Sequence, residues 1–285
     1  MRKFGVITDL PTEARIKYEE DLLILVEKVS FIIRKSLIND STFKEQYTEL
    51  LKVNNRVDTE SNEPPENTYE YVIKAIEAKI ILILNAFFKR ITRAAVLTNK
   101  INYKSVEKSV NDLKKSIPAL IDTNIQTEMR MWVSQNVRLI KTIPEKMLAQ
   151  AEDIIFEAIR TGVSHKELSN RLIESLEIPK KRAVIIARDQ INKLNGKLTR
   201  ERNLKLGITE YKWITCNDER VRHSHEVLHN KICSWLNVRI YKDNVDDKKE
   251  LQRTSINATL SNPSEDVLCR CSSIPIIKIF NKYGY

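Results

Sequence analysis

The chain has 285 residues, 42% hydrophobic and 30% charged, with a net charge of +10, and contains four cysteines and only five glycines. It is rich enough in apolar residues to bury a core in two moderate domains or one elongated one, which excludes a disordered or low-complexity chain. Its most apolar run, Ile80 to Phe88, lies between Lys79 and Lys89 and is about half of the ~18 residues a bilayer requires, which excludes it as a membrane span and makes it a buried helix.

Met1 to Phe4 lacks the apolar stretch of a secretory signal, and Asp9 and Glu13 follow early, so the protein is expected to stay in the compartment where it is made. Thiols are reduced there, and the cysteines become candidates for metal ligands or small buried hydrophobes rather than disulfides. No glycine falls between Gly5 and Gly162; with so few sites for tight turns, long helices are expected.

In chain order, Leu22, Val26, Val29, Ile33 and Leu37 give helical spacing over Thr12 to Ile38, and a second helix is expected from Thr42 to Val53. Asn54 to Asn67, with Pro64 and Pro65, breaks the pattern and reads as a flexible loop. Helical periodicity resumes from Tyr69 to about Thr98, then in shorter pieces over 105–116, 119–140, 145–161 and 165–176, with Pro118, Pro144 and Pro179 suited to first helical turns. A last long helix follows Pro179, carries the stripe Ala187, Ile191, Leu194 and Leu198, and stops at Gly207. Beyond it the pattern changes. Ile208–Thr215, Val238–Tyr241 and Ser273–Phe280 read as strands, and Lys242–Asp266 as a surface loop with little structure of its own. The expected fold is therefore mainly α: an elongated helical N-terminal body over 1–178, and over 179–285 a basic helix with a small C-terminal α+β module.

The charge is unevenly placed. Residues 101–207 carry 20 Lys/Arg against 13 Asp/Glu, and Lys180 to Lys205 includes Lys180, Lys181, Arg182, Arg188, Lys193, Lys197, Arg200, Arg202 and Lys205 against Asp189 and Glu201. Such a helix suits a polyanion such as nucleic acid, or else is a solvated face that serves solubility.

The chemistry-bearing residues cluster further on. All four cysteines lie between Cys216 and Cys271, and His223, His225 and His229 lie within seven residues. A helix over Asp218 to Asn230 would align Asp218, Arg222, His225 and His229 on one face, while a strand through Cys269-Arg270-Cys271 would point both sulfurs to one side and Arg270 to the other. His225, His229, Cys269 and Cys271 are chemically adequate for tetrahedral zinc. The competing reading is a hydrogen-bonded network of Arg222 and the histidines around cysteines that fill core space, with no cofactor. A general base or a Cys269–His225 nucleophile pair is conceivable on residue types alone. The chain has no glycine-rich phosphate loop, H-E-x-x-H, G-x-S-x-G or paired-carboxylate pattern, and Trp213 reads as a core anchor.

The ordered series Ile186-Ala187-Arg188-Asp189-Gln190, Gly207-Ile208, Tyr211-Lys212-Trp213, Asp218 through Arg222, His225, Leu228-His229-Asn230-Lys231 and Pro263 through Cys269-Arg270-Cys271 resembles the C-terminal module of the Mu F-like phage minor head proteins, also called head-morphogenesis proteins of the SPP1 type. It covers roughly residues 180–275. The family often has Thr-Glu where this chain has Asp189-Gln190, and Gly where it has Asn230, a residue that tolerates positive φ. The resemblance implies a non-enzymatic virion protein, present in multiple copies around the portal inside the capsid and in the host cytoplasm during assembly. Its implied partners are the portal protein, other head proteins and packaged double-stranded DNA, with no membrane. Arg188, Trp213, Asp218, Arg222, His225, His229, Cys269, Arg270 and Cys271 are the polar cluster so implied. Lys180, Lys181, Arg182, Lys193, Lys197, Arg200, Arg202 and Lys205 are the candidate phosphate contacts, non-specific because no base-reading motif is present. The competing functions are a metal-dependent nuclease or toxin-like effector delivered with the genome, using Asp218, His225 and His229, and a zinc-stapled nucleic-acid-binding module of the host cell.

Overall fold

The computed structural model describes residues 2–7, 10–54, 70–110 and 123–278. Most of the loop expected over 54–67, the helix end beyond 110, Pro118 and the end of the last strand at Phe280 lie outside the described residues. The fold class is the expected one, mainly α with a small antiparallel sheet towards the C-terminus.

The helices are α1 (Thr12–Ile33, extended by a wide π turn over Arg34–Ile38), α2 (Ser41–Asn54), α3 (Glu70–Ser109), α4 (Thr123–Thr161), α5 (His165–Ser175) and α6 (Ile178–Lys205). No helix is long and apolar enough to cross a membrane among the described residues. The chain forms two compact units, one of Tyr18–Ile91 and Gln135–Ile186, the other of Met1–Lys17, Thr92–Ser134 and Ala187–Tyr285. The division expected at 178/179 differs from these units, which separate within α6 at 186/187 and group residues 1–17 and 92–134 with the C-terminal part.

The helical unit follows directly from periodicity. Leu22, Leu25, Val26, Val29 and Ile33 of α1 are fully buried, as are Ile76, Ile155, Leu168 and Leu172, so each helix buries one stripe. Its polar contacts include Tyr18 donating to Asn136 Oδ1 at 2.9 Å and Tyr47 to the Val163 carbonyl at 2.7 Å, and the Ser164 hydroxyl caps α5. One expectation fails at Pro144, which lies inside α4 rather than at a helix start. Proline removes a single backbone bond there, and the helix runs on because Ile140, Ile143, Met147 and Leu148 around it are buried. Packing outweighs the breaker, and from Thr123 onward the pieces expected on either side of Pro144 form one helix.

The second unit carries the sheet, in the order β1-β6-β2-β3-β4-β5 and antiparallel throughout, formed by β1 (Arg2–Phe4), β2 (Glu210–Ile214), β3 (Ile232–Ser234), β4 (Ile240–Lys242), β5 (Leu251–Gln252) and β6 (Ser272–Lys278). Alternation along β2 buries Tyr211 and Trp213, the latter opposite Ser273 of β6. Trp213, Tyr211, Trp235, Leu228 and the cysteines 233, 269 and 271 form one core. Strands β1, β3 and β5 are too short to leave a periodic trace.

The segment 242–266 is not structureless. Its Arg253 is fully buried and donates to the carbonyls of Ile240 (3.3 Å), Thr259 (3.2 Å) and Ser261 (2.8 Å) and to the Tyr211 hydroxyl (3.3 Å). One guanidinium, planar and five-donor, thus organises the loop from within.

α6 backs this module. Gly207 adopts φ +73° and ends the helix where only glycine does so without strain. At Gly196 a Cβ would lie 2.8 Å from the Pro263 carbonyl and 2.9 Å from Ser264 Cβ, so the missing side chain lets the loop after residue 262 rest on the helix. Further along, Asn102 donates to Asn195 Oδ1 (2.8 Å) and Thr199 Oγ1 (2.7 Å), and Arg202 donates to Asn99 (2.6 Å) and Asn102. That polar ladder joins α3 to α6 inside the unit.

Candidate functional site

The helix expected over Asp218–Asn230 shrinks to one turn, α7 (His223–Glu226). Asp218 accepts from the Arg220 backbone at 3.2 Å and its carbonyl from Val221 at 3.0 Å, closing a turn, and Arg222 is extended at ψ 140°. Asp218, Arg222, His225 and His229 therefore do not share a helical face. After α7 the chain turns back through Asn230 at φ +65°, and Asn230 and Lys231 rejoin β2 at Trp213. The asparagine does serve the positive-φ turn expected of it.

Cys269-Arg270-Cys271 stands just before β6 rather than in a strand. The alternation nonetheless holds. Cys269 Sγ lies 3.6 Å and Cys271 Sγ 3.5 Å from His225 Nδ1, all three residues being buried, while Arg270 turns the other way and grips Asp218 with two bonds of 2.5 and 2.6 Å. The donor atoms of His225, Cys269 and Cys271 lie within 4.8 Å of one another, so these three can hold a metal. His229 is not with them: its Nδ1 accepts from the Thr215 backbone at 3.2 Å and sits 2.9 Å from the Thr215 hydroxyl. Trp213 packs edge-on against His225, ring centres 5.7 Å apart, as a core anchor.

On its other side His225 Nε2 lies 2.9 Å from Asp266 Oδ2, an ion-pair distance with the carboxylate off the N–H axis. Asp266 in turn accepts from the Thr259 hydroxyl at 2.8 Å. Burial opposes the charged imidazole, yet Cys269 and Asp266 outweigh it and raise the His225 pKa. The Cys271 thiol, then His225 and the backbone N–H groups of Cys271 and Ser264, hold the Cys269 thiol below its usual range despite burial, and the shared proton pushes Cys271 up. Asp218 is held down to about 2, first by its bond from Arg270.

Residues outside the expected polar cluster position it. Asp189 accepts from the Leu268 backbone N–H at 2.7 Å, holding a leucine at φ +56°, and Asn192 donates to the Cys269 carbonyl at 3.3 Å. Asp189, Asn192, Gly196 and Thr199 recur at i+3, i+7 and i+10 on α6, a polar line at helical spacing that was the available signal. Asp266 carried no signal beyond its closeness in sequence to Cys269.

Several expected phosphate contacts are otherwise engaged. Arg202 is fully buried, which removes it from any polyanion-facing surface. Lys193 pairs with Asp189 (2.8 Å), Lys197 with Glu128 (3.6 Å), Arg200 with Glu201 (2.9 Å), Lys180 with Glu177 (3.2 Å), and Arg182 donates to Thr142 (3.2 Å). Lys181 and Lys205 are exposed. Part of the helix's positive charge thus answers carboxylates and hydroxyls of the fold. Positive charge gathers instead around a cavity of about 260 Å³ lined by Arg188, Arg220, Arg222, Arg270, Cys216 and the His225 cluster. Arg222 donates to the Val267 carbonyl at 2.6 Å, and Asp218 is the carboxylate that offsets Arg270 and, at 3.6 Å, Arg220.

The module is thus a helix-backed antiparallel sheet with a buried His-Cys-Cys cluster under an arginine-lined cavity. Residues 149–274 match the family described as "Phage Mu protein F like protein", so this stretch of the chain is similar to that family, and the match suggests a phage head-related protein. A Haemophilus influenzae protein described only as "Uncharacterized protein" is 30% identical over 154 residues. That match covers 54% of this chain and 30% of the relative's length. No solved structure matches significantly.

Proposed function

We propose that the chain is a minor head protein of a tailed bacteriophage that acts in head assembly at or near the portal and touches packaged double-stranded DNA without reading its sequence. The observation that carries this reading is the Mu F-like match over residues 149–274. The DNA contact is carried by the arginines of the cavity, Arg188 of α6 among them, rather than by the whole length of α6: Arg220 keeps 69% of its side chain exposed, and guanidinium groups suit phosphate oxygens. Docking to portal and head proteins belongs to the helical unit, where Phe31, Tyr71 and Leu82 are exposed at 64%, 79% and 70%. Such a protein is structural and virion-borne.

Two measurements test it. Binding of full-length protein to duplex DNA of unrelated sequence should weaken steeply with salt, and Arg220→Ala should lower the slope of log affinity against log salt by about one. Co-sedimentation with portal rings should persist in Arg220→Ala. Failure to bind either DNA or portal rings overturns the proposal, and chelator-sensitive cleavage of plasmid DNA lost in His225→Ala would establish the nuclease instead.

A further inference from the structure

We propose that His225, Cys269 and Cys271 bind one zinc ion through Nδ1 and the two Sγ atoms, with water in a fourth position that faces the arginine-lined cavity. Tetrahedral zinc with bonds of about 2.3 Å to sulfur and about 2.0–2.1 Å to nitrogen separates sulfur from nitrogen by about 3.6 Å. The two separations here are 3.6 and 3.5 Å.

Proton placement leads to the same conclusion. The Asp266 carboxylate, 2.9 Å from Nε2, favours the imidazole proton on that nitrogen, which leaves Nδ1 as an acceptor with one in-plane lone pair and two sulfurs within 3.6 Å of it. One lone pair can accept from one thiol, not two at equal distance. A cation on its axis satisfies both sulfurs and the nitrogen together. The surroundings are those of a metal-bound thiolate and histidine: Cys269 Sγ accepts from the backbone N–H groups of Ser264 at 3.3 Å and Cys271 at 3.4 Å, and Thr259 orients Asp266, which orients His225. Charge-assisted donors to sulfur and a carboxylate behind the histidine tune such sites. Thiolate with imidazole selects zinc over the hard cations. The ion would tie α7 to the segment that enters β6, stapling a module of short strands, and His229 takes no part.

Metal analysis of the full-length protein, purified reduced and without chelator, should find one zinc per chain. Cobalt(II) exchanged into the wild type should give the visible bands of a tetrahedral ion and thiolate charge-transfer bands, retained in His229→Ala and Cys216→Ser and lost in Cys271→Ser. A zinc-free wild type that also develops no cobalt bands overturns the site, and so does a Cys271→Ser protein that keeps them. Should Cys271→Ser fail to fold, the wild-type cobalt spectrum decides. The site is independent of the head-related reading, since neither the DNA nor the portal measurement requires the ion.

Discussion

The helical unit and the sheet-bearing unit bury different chemistry. Among the described residues of the helical unit the buried polar side chains are Ser30, Ser36 and Asn136, set in a core of leucine, isoleucine and valine. The other unit buries Arg202, Arg253, His225, Asp189 and a series of asparagines. An apolar core asks mainly for volume and tolerates swaps that keep it, whereas a buried polar group is stabilising only while its particular partners are in place. The difference teaches that the first unit is specified by pattern and the second by individual contacts.

The largest test of that contrast is Arg253→Met, which fills similar space but leaves the carbonyls of Ile240, Thr259 and Ser261 unanswered. It should lower stability by about 3–4 kcal/mol in denaturant unfolding. In the helical unit Leu22→Ala should cost about 2–5 kcal/mol through its cavity, but Leu22→Met less than about 1.5 kcal/mol because volume is conserved. Equal penalties for Leu22→Met and Arg253→Met would erase the distinction.

A smaller effect is expected in acid. The folded pKa of Asp218, about 2, lies below its ordinary 3.8, so its stabilisation is complete above pH 4 and is lost as pH falls towards 2. Acid unfolding curves should show this loss in the wild type and not in Asp218→Asn. The smallest change is expected for Asn230→Gly, which relieves a left-handed side chain at φ +65° and should leave stability within about 1 kcal/mol of wild type. A larger loss would mean that the asparagine side chain, not its backbone, is what the turn requires.

Legibility followed the same division. Helix stripes, the strand with Tyr211 and Trp213, the stop at Gly207 and the turn at Asn230 were readable because each rests on period or on backbone preference. The meeting of Cys269 and Cys271 with His225 was anticipated, but through the wrong local geometry: a single turn α7 and an extended segment stand where a long helix and a strand were expected. His229 was misassigned because helical spacing was assumed beyond Glu226. The basic helix suits either a polyanion or solvent on sequence grounds, which count charges without their partners; Arg202, fully buried, is the cation the structure withdraws. Asp189, Asn192 and Asp266 fall outside the expected cluster because a polar residue reveals its purpose only when its acceptor or donor, far along the chain, is known.

By itself the sequence determined the class of fold and the residues available to the site, since hydrophobic period and residue chemistry are local properties that survive in any arrangement of the chain. Only the tertiary structure decided which of those residues meet, because hydrogen bonds and ligand geometry act over a few ångströms. Arg253, Asp189 and the imidazole of His225 find their partners 42, 79 and 44 residues away.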